Sequence, residues 1–314
     1  MSLSGINLSD LISAMLSAGL MAAVPLTLAA IGEAFVERAG LLNLGIEGMM
    51  LAGAFFSFYA AFETSKVGLG IAAGLVTGLV LALLFGFLTI TLKVDQVLVG
   101  LAITILCQGL TAFLFRDIYG RANPTADVHP LEISIPGLRT IPIVGDALFD
   151  RQALFYLSFA LVPLFAFVLA RTRFGLEVRA VGEQPFAADA AGINVARTRY
   201  LAIAIGGTMA GFAGAFLAVA DLKFFQVGMT VGQGFIALAI TMLGRWNPYR
   251  IVVGAVLFGM LRSLGNSLQI VGVDVRPEFL GMLPYLGIMI ALVALAGRTA
   301  LPAALGVPYA RGER

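Results

Sequence analysis

Long apolar runs separated by short polar breaks are the feature that most constrains the fold of this chain. Nine runs follow one another, and most of them approach the roughly 20 residues that a helix needs to cross about 30 Å of hydrocarbon. Only 12% of the residues are charged, against the roughly 25% that is usual in a soluble domain. The sequence therefore predicts an all-α integral membrane protein, a polytopic bundle of about 8–10 transmembrane helices.

The predicted spans form a single transmembrane domain over residues 1–314. Residues 1–10 contain no Lys or Arg, so the first run is expected to remain as a spanning helix and not to be a cleaved signal peptide. The seventh run is short, which leaves one crossing open. The nine predicted spans are residues 11–31, 41–61, 67–92, 95–115, 153–170, 200–220, 230–244, 249–270 and 281–296.

The distribution of Lys and Arg predicts the orientation of the bundle. Residues 171–199 form the longest strongly cationic break, and placing them in the cytoplasm puts twelve Lys and Arg residues inside and seven outside. Because cytoplasmic loops carry an excess of these residues, the N-terminus is expected outside and the C-terminus in the cytoplasm. The long Pro- and Gly-rich loop of residues 116–152 is then extracytoplasmic, where it is either a connector or a functional cover.

Two Gly-interrupted segments in the two halves of the chain share a pattern. Residues 40–55 carry Asn43 and Glu47 among glycines, and residues 228–240 carry Gln233 between Gly232 and Gly234. In the predicted orientation the two segments cross the membrane in opposite directions. Paired interrupted segments of this kind are typical of discontinuous helices beside a midplane pathway, so the pattern predicts an inverted repeat.

Several polar side chains are expected at hydrocarbon depth. A charge there is costly, so Glu47 and Arg262 should face the bundle interior or a wet cavity. We predict that Asn43, Glu47, Gln233 and Asn266 line the path of a polar solute. A structural role for these groups stays open, including a Glu47–Arg262 pair.

Glycine spacing predicts close helix packing. Gly70, Gly74 and Gly78 recur at intervals of four residues, and Gly207 and Gly211 repeat that spacing. Small residues at this interval let helix backbones approach closely in a membrane. We expect these glycines to form helix–helix contacts.

Several activities are excluded by the residues that are missing. The chain has no G-x-x-x-x-G-K-[ST] phosphate loop, so any ATP-driven activity needs a partner chain. One Cys and one His exclude an internal disulfide and a Cys/His metal cluster. The single His129 also argues against a Ser/His/Asp enzyme. No metal, cofactor or nucleic-acid partner is expected for this chain itself.

The centre of the cationic break predicts a short helix. In residues 182–193, Pro185 suits a first helical turn, four alanines propagate the helix, and Gly192 ends it. A small-residue surface with Phe186 exposed would fit a groove on another protein. A simple spacer would need neither feature.

Two motifs carry a resemblance to a known family. The run G-E-x-P-x-A-A-x-x-A-G-I at residues 182–193 resembles the coupling loop of ATP-binding-cassette (ABC) importer permeases of the branched-chain amino acid, ribose and simple-sugar group. The run G-E-x-x-x-E-R-x-G-L-L-N-L-G-I-E-G-M-M at residues 32–50 resembles the nucleoside branch of that group. The resemblance covers about residues 25–295.

The resemblance implies an inner-membrane permease that moves a small polar solute, a nucleoside first of all, by alternating access. It also implies three protein partners: a cassette ATPase that binds ATP and Mg²⁺, a second and longer permease, and an extracytoplasmic solute-binding protein. In that hypothesis Phe186, Ala187 and Ala188 dock on the ATPase, while Arg179 and Glu183 make rim contacts. A sugar or branched-chain amino acid permease is the alternative within the group. A stand-alone carrier or channel that uses Glu47 as its gate or proton site is the alternative outside it.

Overall fold

The structure is a computed structural model that describes residues 8–134, 137–138, 141, 143–270, 276–295 and 301–310. This part of the chain holds twelve α-helices and one small antiparallel sheet. The helices are α1 (Leu8–Arg38), α2 (Ile46–Thr64), α3 (Val67–Gly86), α4 (Gln96–Tyr119), α5 (Gly145–Phe149), α6 (Ala153–Arg171), α7 (Arg173–Glu183), α8 (Pro185–Ala190), α9 (Val195–Ala215), α10 (Gln233–Leu243), α11 (Pro248–Ile270) and α12 (Pro277–Leu295). The strands are β1 (Glu132–Ser134) and β2 (Asp150–Gln152).

The helical membrane bundle predicted from the sequence is confirmed, with changed helix ends. Nine helices coincide with the nine predicted spans, and five of these are long and apolar enough to cross a membrane within the described residues. α2 begins at Ile46 and not at residue 41, because Gly40 takes a left-handed φ of +82° and the Asn43 side chain accepts a hydrogen bond from the Gly45 amide. Both features close turns that interrupt the helix.

Glycines bring α2, α3 and α9 into backbone contact, as predicted from their spacing. A Cβ atom at Gly78 would lie 2.0 Å from the Gly207 carbonyl oxygen, and one at Gly211 would lie 2.2 Å from the Gly74 carbonyl oxygen. No side chain fits at such distances. The seam therefore requires glycine, as expected where close packing replaces a hydrophobic driving force.

The short helix α10 belongs to a complete crossing of the bundle. Before α10, Phe224 forms a β-bridge with Thr125 of the 116–152 loop. After α10, the Trp246 ring lies 5.3 Å from the guanidinium of Arg38 at the opposite end of the bundle. With 11 residues, α10 is about 16 Å long, so it covers about half of the membrane and residues 222–232 cover the rest. The crossing left open by the sequence is therefore made.

The loop of residues 116–152 contains the small sheet. β1 and β2 pair in antiparallel register, Glu132 with Gln152 and Ser134 with Asp150, and α5 lies between the strands. His129 is almost fully exposed and lies 3.4 Å from Asp127. It is a surface histidine, which does not suggest a proton relay.

Candidate functional site

The two Gly-interrupted segments meet inside the bundle, at the start of α2 and the start of α10. The Glu47 carboxylate accepts hydrogen bonds from the Thr230 hydroxyl (2.5 Å), the Gly232 amide (2.9 Å) and the Gly234 amide (2.7 Å). A Cβ atom at Gly234 would lie 2.6 Å from the Glu47 Cα, so glycine is needed for this approach. Glu47 therefore caps α10 from another helix.

The position of this junction in the membrane follows from its contacts. The Thr104 hydroxyl donates to the Leu44 carbonyl at 3.1 Å, and Thr104 lies about two turns inside α4. α2 therefore begins well below the membrane surface. The N-termini of α2 and α10 both lie beside Glu47, and each carries a partial positive charge that favours a carboxylate. The junction can thus hold a buried charge without a cationic side chain.

Asn43 supports the turn that precedes α2. It is fully buried; its Oδ1 accepts from the Gly45 amide at 3.1 Å and its Nδ2 donates to Glu33 at 3.4 Å. Asn43 and Glu47 are neighbours in the chain, but their side chains have different hydrogen-bond partners: Asn43 bonds with Gly45 and Glu33, and Glu47 bonds with the segment that begins α10.

Gln233 and Arg262 line a cavity between α10, α11 and α12. Its volume is about 150 Å³, below the about 300 Å³ at which ligand pockets begin. Gln233 is 3% exposed, and its Oε1 has no hydrogen-bond partner among the described residues. Arg262 is exposed and forms no pair with Glu47, whose partners are the α10 groups named above. Asn266 lies on α11, but its side chain is outside the described residues.

Two buried glutamates were missed by the reading of the sequence. Glu33 and Glu37 are fully buried one turn apart on α1, and each keeps one carboxylate oxygen without a hydrogen-bond partner among the described residues. Glu37 accepts from the Trp246 indole at 2.5 Å. The predicted span ends at Ile31, two residues before Glu33. The absence of Gly and Pro between residues 33 and 39 was the signal that the helix continues.

The cationic break folds into two helices, α7 and α8, and not into one helix in a loop. Pro185 is the first residue of α8, and Gly192 has a left-handed φ of +87° just after its end, as predicted. Phe186 is 51% exposed and Ala187 is also exposed. Ala188, predicted to dock, is 4% exposed and packs with Val181 and Val195, so its methyl group is not available for a direct contact.

α7 carries the two predicted rim residues. Glu183, its last residue, is exposed, and Arg179 is half-buried with its Nε donating to the Gly175 carbonyl at 3.2 Å. A Cβ atom at Gly182 would lie 2.0 Å from the Arg38 carbonyl oxygen. The end of α7 is therefore packed directly on the end of α1.

A C-terminal segment, residues 301–310, lies across this end of the bundle. The Ala304 amide donates to the Gly182 carbonyl (2.9 Å) and the Gly306 amide donates to the Gly40 carbonyl (3.1 Å). Buried Arg199 donates to the carbonyls of Ala39 and Val307, both at 3.2 Å. The segment ties α8 to the bundle as well, because the rings of Phe186 and Tyr309 meet edge to face with centroids 5.1 Å apart.

Known proteins are similar to this chain over nearly its whole length. The family described as "Branched-chain amino acid transport system / permease component" matches residues 15–296. The guanosine ABC transporter permease protein NupQ of Bacillus subtilis is 36% identical over 318 residues, covering 98% of this chain and 100% of the relative. The nucleoside ABC transporter permease protein NupC of Lactococcus lactis is 33% identical over 305 residues, covering 94% and 96% of the two chains.

A third relative is named for a different substrate. The putative glucose ABC transporter permease protein TsgC13 of Haloferax volcanii is 42% identical over 266 residues, which cover 84% of this chain and 80% of the relative. The resemblance to ABC importer permeases that the two motifs indicated is thereby confirmed. The chain belongs to the family of permease components of branched-chain amino acid transport systems.

Proposed function

We propose that the chain is the membrane-spanning permease subunit of an ABC importer that moves a nucleoside into the cytoplasm by alternating access. It would pair with a second, longer permease, receive solute from an extracytoplasmic binding protein, and dock a cassette ATPase that binds ATP and Mg²⁺. Its place would be the bacterial inner membrane, with the N-terminus outside and the C-terminus in the cytoplasm.

The observation that carries the proposal is the exposed face of α8. Phe186 and Ala187 are exposed on a short helix whose other face packs on α7 and α9 through Ala188. A large apolar side chain beside a small one fits a groove on a partner protein. Since α8 packs on α7, α9 and Tyr309, a partner that moves it moves the helices behind it.

The contacts suggest a route for that movement. α7 presses on the end of α1 through the close contact of Gly182 with Arg38. Glu37 of α1 holds Trp246 in the turn after α10. Displacement of α8 would thus reach α10 and the Glu47 junction through packed helices and one buried hydrogen bond. Packed elements of this kind shift as rigid bodies between discrete states.

The solute class is supported by the substrates for which two relatives are named, guanosine and nucleosides. Amide and carboxylate groups such as Gln233 and Glu47 suit ribose hydroxyls and base edges. A sugar is the second candidate, because the TsgC13 relative is described as a putative glucose permease. The small α10–α12 cavity encloses no such solute, so the path would be completed by the second permease.

Reconstitution tests the proposal. The chain would be purified with its partner permease and ATPase and placed in vesicles with the binding protein. We expect labelled nucleoside to accumulate with ATP and not without it, and excess unlabelled nucleoside to compete. Competition by glucose and not by nucleosides would favour the sugar candidate. Uptake by this chain without any ATPase would contradict the proposal and favour a stand-alone carrier.

A further inference from the structure

An arginine-lined cleft lies at the end of the bundle where α1, α6 and α7 meet the turn between α10 and α11. Its volume is about 550 Å³. The residues that the structure places around it include no Asp, Glu or Lys. Five arginines line it: Arg38, Arg171, Arg179, Arg245 and Arg250.

Much of this positive charge has no carboxylate partner among the residues that the structure describes. Glu183 lies near Arg38, and Glu37 lies behind the cleft, where it accepts from Trp246. By contrast, no carboxylate of the described residues lies within 4.0 Å of Arg171, Arg245 or Arg250. A concave site lined by one sign of charge attracts counter-ions.

The wall of the cleft is built at a conformational cost. Arg245 and Trp246 both have left-handed φ angles, 53° and 56°, a strain that persists only where the surroundings impose it. The Trp246 indole is 5% exposed and donates to Glu37, while the Arg38 guanidinium stacks 5.3 Å from its ring centroid. The buried tryptophan thus fixes the turn that carries Arg245.

The cleft adjoins an apolar surface of α6. Phe167, one of the lining residues, is 59% exposed, and Leu164, three residues earlier on the same helix, is 52% exposed. Tyr249, on the opposite wall, is 56% exposed, and Tyr is enriched at the boundary between membrane and water. A ligand at this site would meet arginines at one end and hydrocarbon-facing side chains at the other.

We propose that this cleft binds the headgroup of an anionic phospholipid, with the acyl chains along α6. Guanidinium groups form bidentate, charge-assisted hydrogen bonds with phosphate oxygens, and basic pockets between membrane helices on the cytoplasmic side recognise such headgroups. A free phosphate or a nucleotide offers the same phosphate group but has no acyl chain to contact the apolar side chains of α6. The orientation predicted from the distribution of Lys and Arg places the cleft in the cytoplasmic leaflet. The residues that line the cleft are the same in either orientation.

The tryptophan in the wall provides a local probe. Trp246 is the only tryptophan of the chain, so the tryptophan fluorescence of the purified full chain in vesicles, excited selectively over tyrosine, reports on this site alone. The vesicles would contain increasing mole fractions of a lipid that is brominated in its acyl chains and present in both leaflets. One series would use brominated phosphatidylglycerol, and the other brominated phosphatidylcholine. We expect stronger quenching by phosphatidylglycerol at equal mole fraction. Native mass spectrometry of the unmodified chain would count the retained phosphatidylglycerol independently of any variant.

A matched pair of variants places the effect in the cleft. Since one arginine near the membrane surface contributes about 1 kcal/mol to anionic lipid binding, or about a fivefold change in affinity, Arg245→Gln with Arg250→Gln should weaken the preference for phosphatidylglycerol by about 25-fold. The control Arg116→Gln with Arg121→Gln removes two exposed arginines from the opposite end of the bundle and should leave quenching unchanged. Circular dichroism would verify the helix content of each variant.

Four results would overturn the proposal. They are equal quenching by the two lipids, an equal loss in both double variants, displacement of phosphatidylglycerol by inorganic phosphate, and loss of the preference when the second permease binds. The third would indicate a soluble anion site, and the fourth a protein interface. None of these outcomes bears on ATP-dependent uptake, so the proposed function is tested separately.

Discussion

The Glu47 junction and the α8 face are both polar interruptions in apolar sequence, and they use their polar groups in opposite ways. At the junction, the Glu47 carboxylate bonds with three donors of the α10 segment and is 3% exposed. Beside the α8 face, the Gly182 carbonyl of α7 accepts a hydrogen bond from Ala304 of the C-terminal segment, but Phe186 remains 51% exposed.

This difference separates a framework from an interface. In a membrane, an unpaired backbone group costs several kcal/mol, so a discontinuous helix needs a dedicated partner such as Glu47. At the bundle end, water satisfies exposed groups, and the protein can leave a surface open for another chain. We therefore interpret Glu47 first as a structural cap and Phe186 and Ala187 as contact residues. Four sets of substitutions test that division, from the largest expected effect to the smallest.

Glu47→Ala should cause the largest loss of stability. It leaves the Thr230 hydroxyl and the Gly232 and Gly234 amides unpaired in the interior, at about 1–3 kcal/mol for each donor. We expect a strongly lowered thermal midpoint of the purified chain in detergent, followed by circular dichroism. Glu47→Gln keeps an acceptor oxygen and should lose much less.

A Glu47→Ala variant that kept the wild-type thermal midpoint and lost uptake would contradict the interpretation of Glu47 as a structural cap. Glu47 would then act on the solute and not on α10. Loss of both properties supports the cap, because uptake cannot survive without the folded junction.

The variants Ala188→Asp and Ala187→Asp should have different effects. The first should lower the stability of the fold, and the second should abolish the coupling of ATP hydrolysis to uptake. Ala188 packs with Val181 and Val195, so an aspartate there buries a charge and should destabilise the fold by several kcal/mol. Ala187 is exposed, and Ala187→Asp should stay within about 0.5 kcal/mol of the wild type while abolishing ATP-driven uptake. Thermal unfolding and vesicle uptake would be measured on both variants. Normal uptake by a folded Ala187→Asp variant would remove α8 from the docking role.

Gln233→Leu should change uptake without lowering stability. The Gln233 Oε1 has no partner among the described residues, so its replacement by an apolar side chain of similar size leaves no new unpaired group. We expect an unchanged thermal midpoint and a raised KM for uptake. Gln108→Leu, at an exposed position on α4, is the matched control. A lowered midpoint with unchanged KM would instead assign Gln233 to the framework.

Local patterns predicted the features that depend on neighbouring residues. The apolar runs located nine helices, the glycine spacing located the α3–α9 seam, and Pro185 with Gly192 bounded α8. Tertiary partners decided the rest. Glu47 caps a helix that lies nearly 190 residues away in the chain, and no local pattern pairs the two. The inverted repeat stays a prediction, although the two segments it relates do meet.

Two further differences concern the end of α1 and the helix α7. The predicted first span ends at residue 31, before Glu33 and Glu37, and acids are rare at hydrocarbon depth. In the structure α1 continues to Arg38, and the indole of Trp246 partners Glu37. Helix α7 was not predicted. Residues 173–183 alternate between polar and apolar in an amphipathic helical pattern, but they lie in a segment that was interpreted as a charged loop.

Tyr309→Ala should have a small effect on stability and a clear effect on coupling. Its ring packs edge to face on Phe186, a contact type worth about 0.5–1.5 kcal/mol, so the thermal midpoint should fall only slightly. Because Tyr309 packs on Phe186 and against the cluster of Val181, Ala188 and Val195, its loss should let α8 move without the helices behind it. We expect uptake per ATP hydrolysed to fall severalfold in the reconstituted transporter, with Tyr309→Phe restoring it. Unchanged coupling in Tyr309→Ala would show that α7 alone carries the movement, and the α8 face would then need no support from residues 301–310.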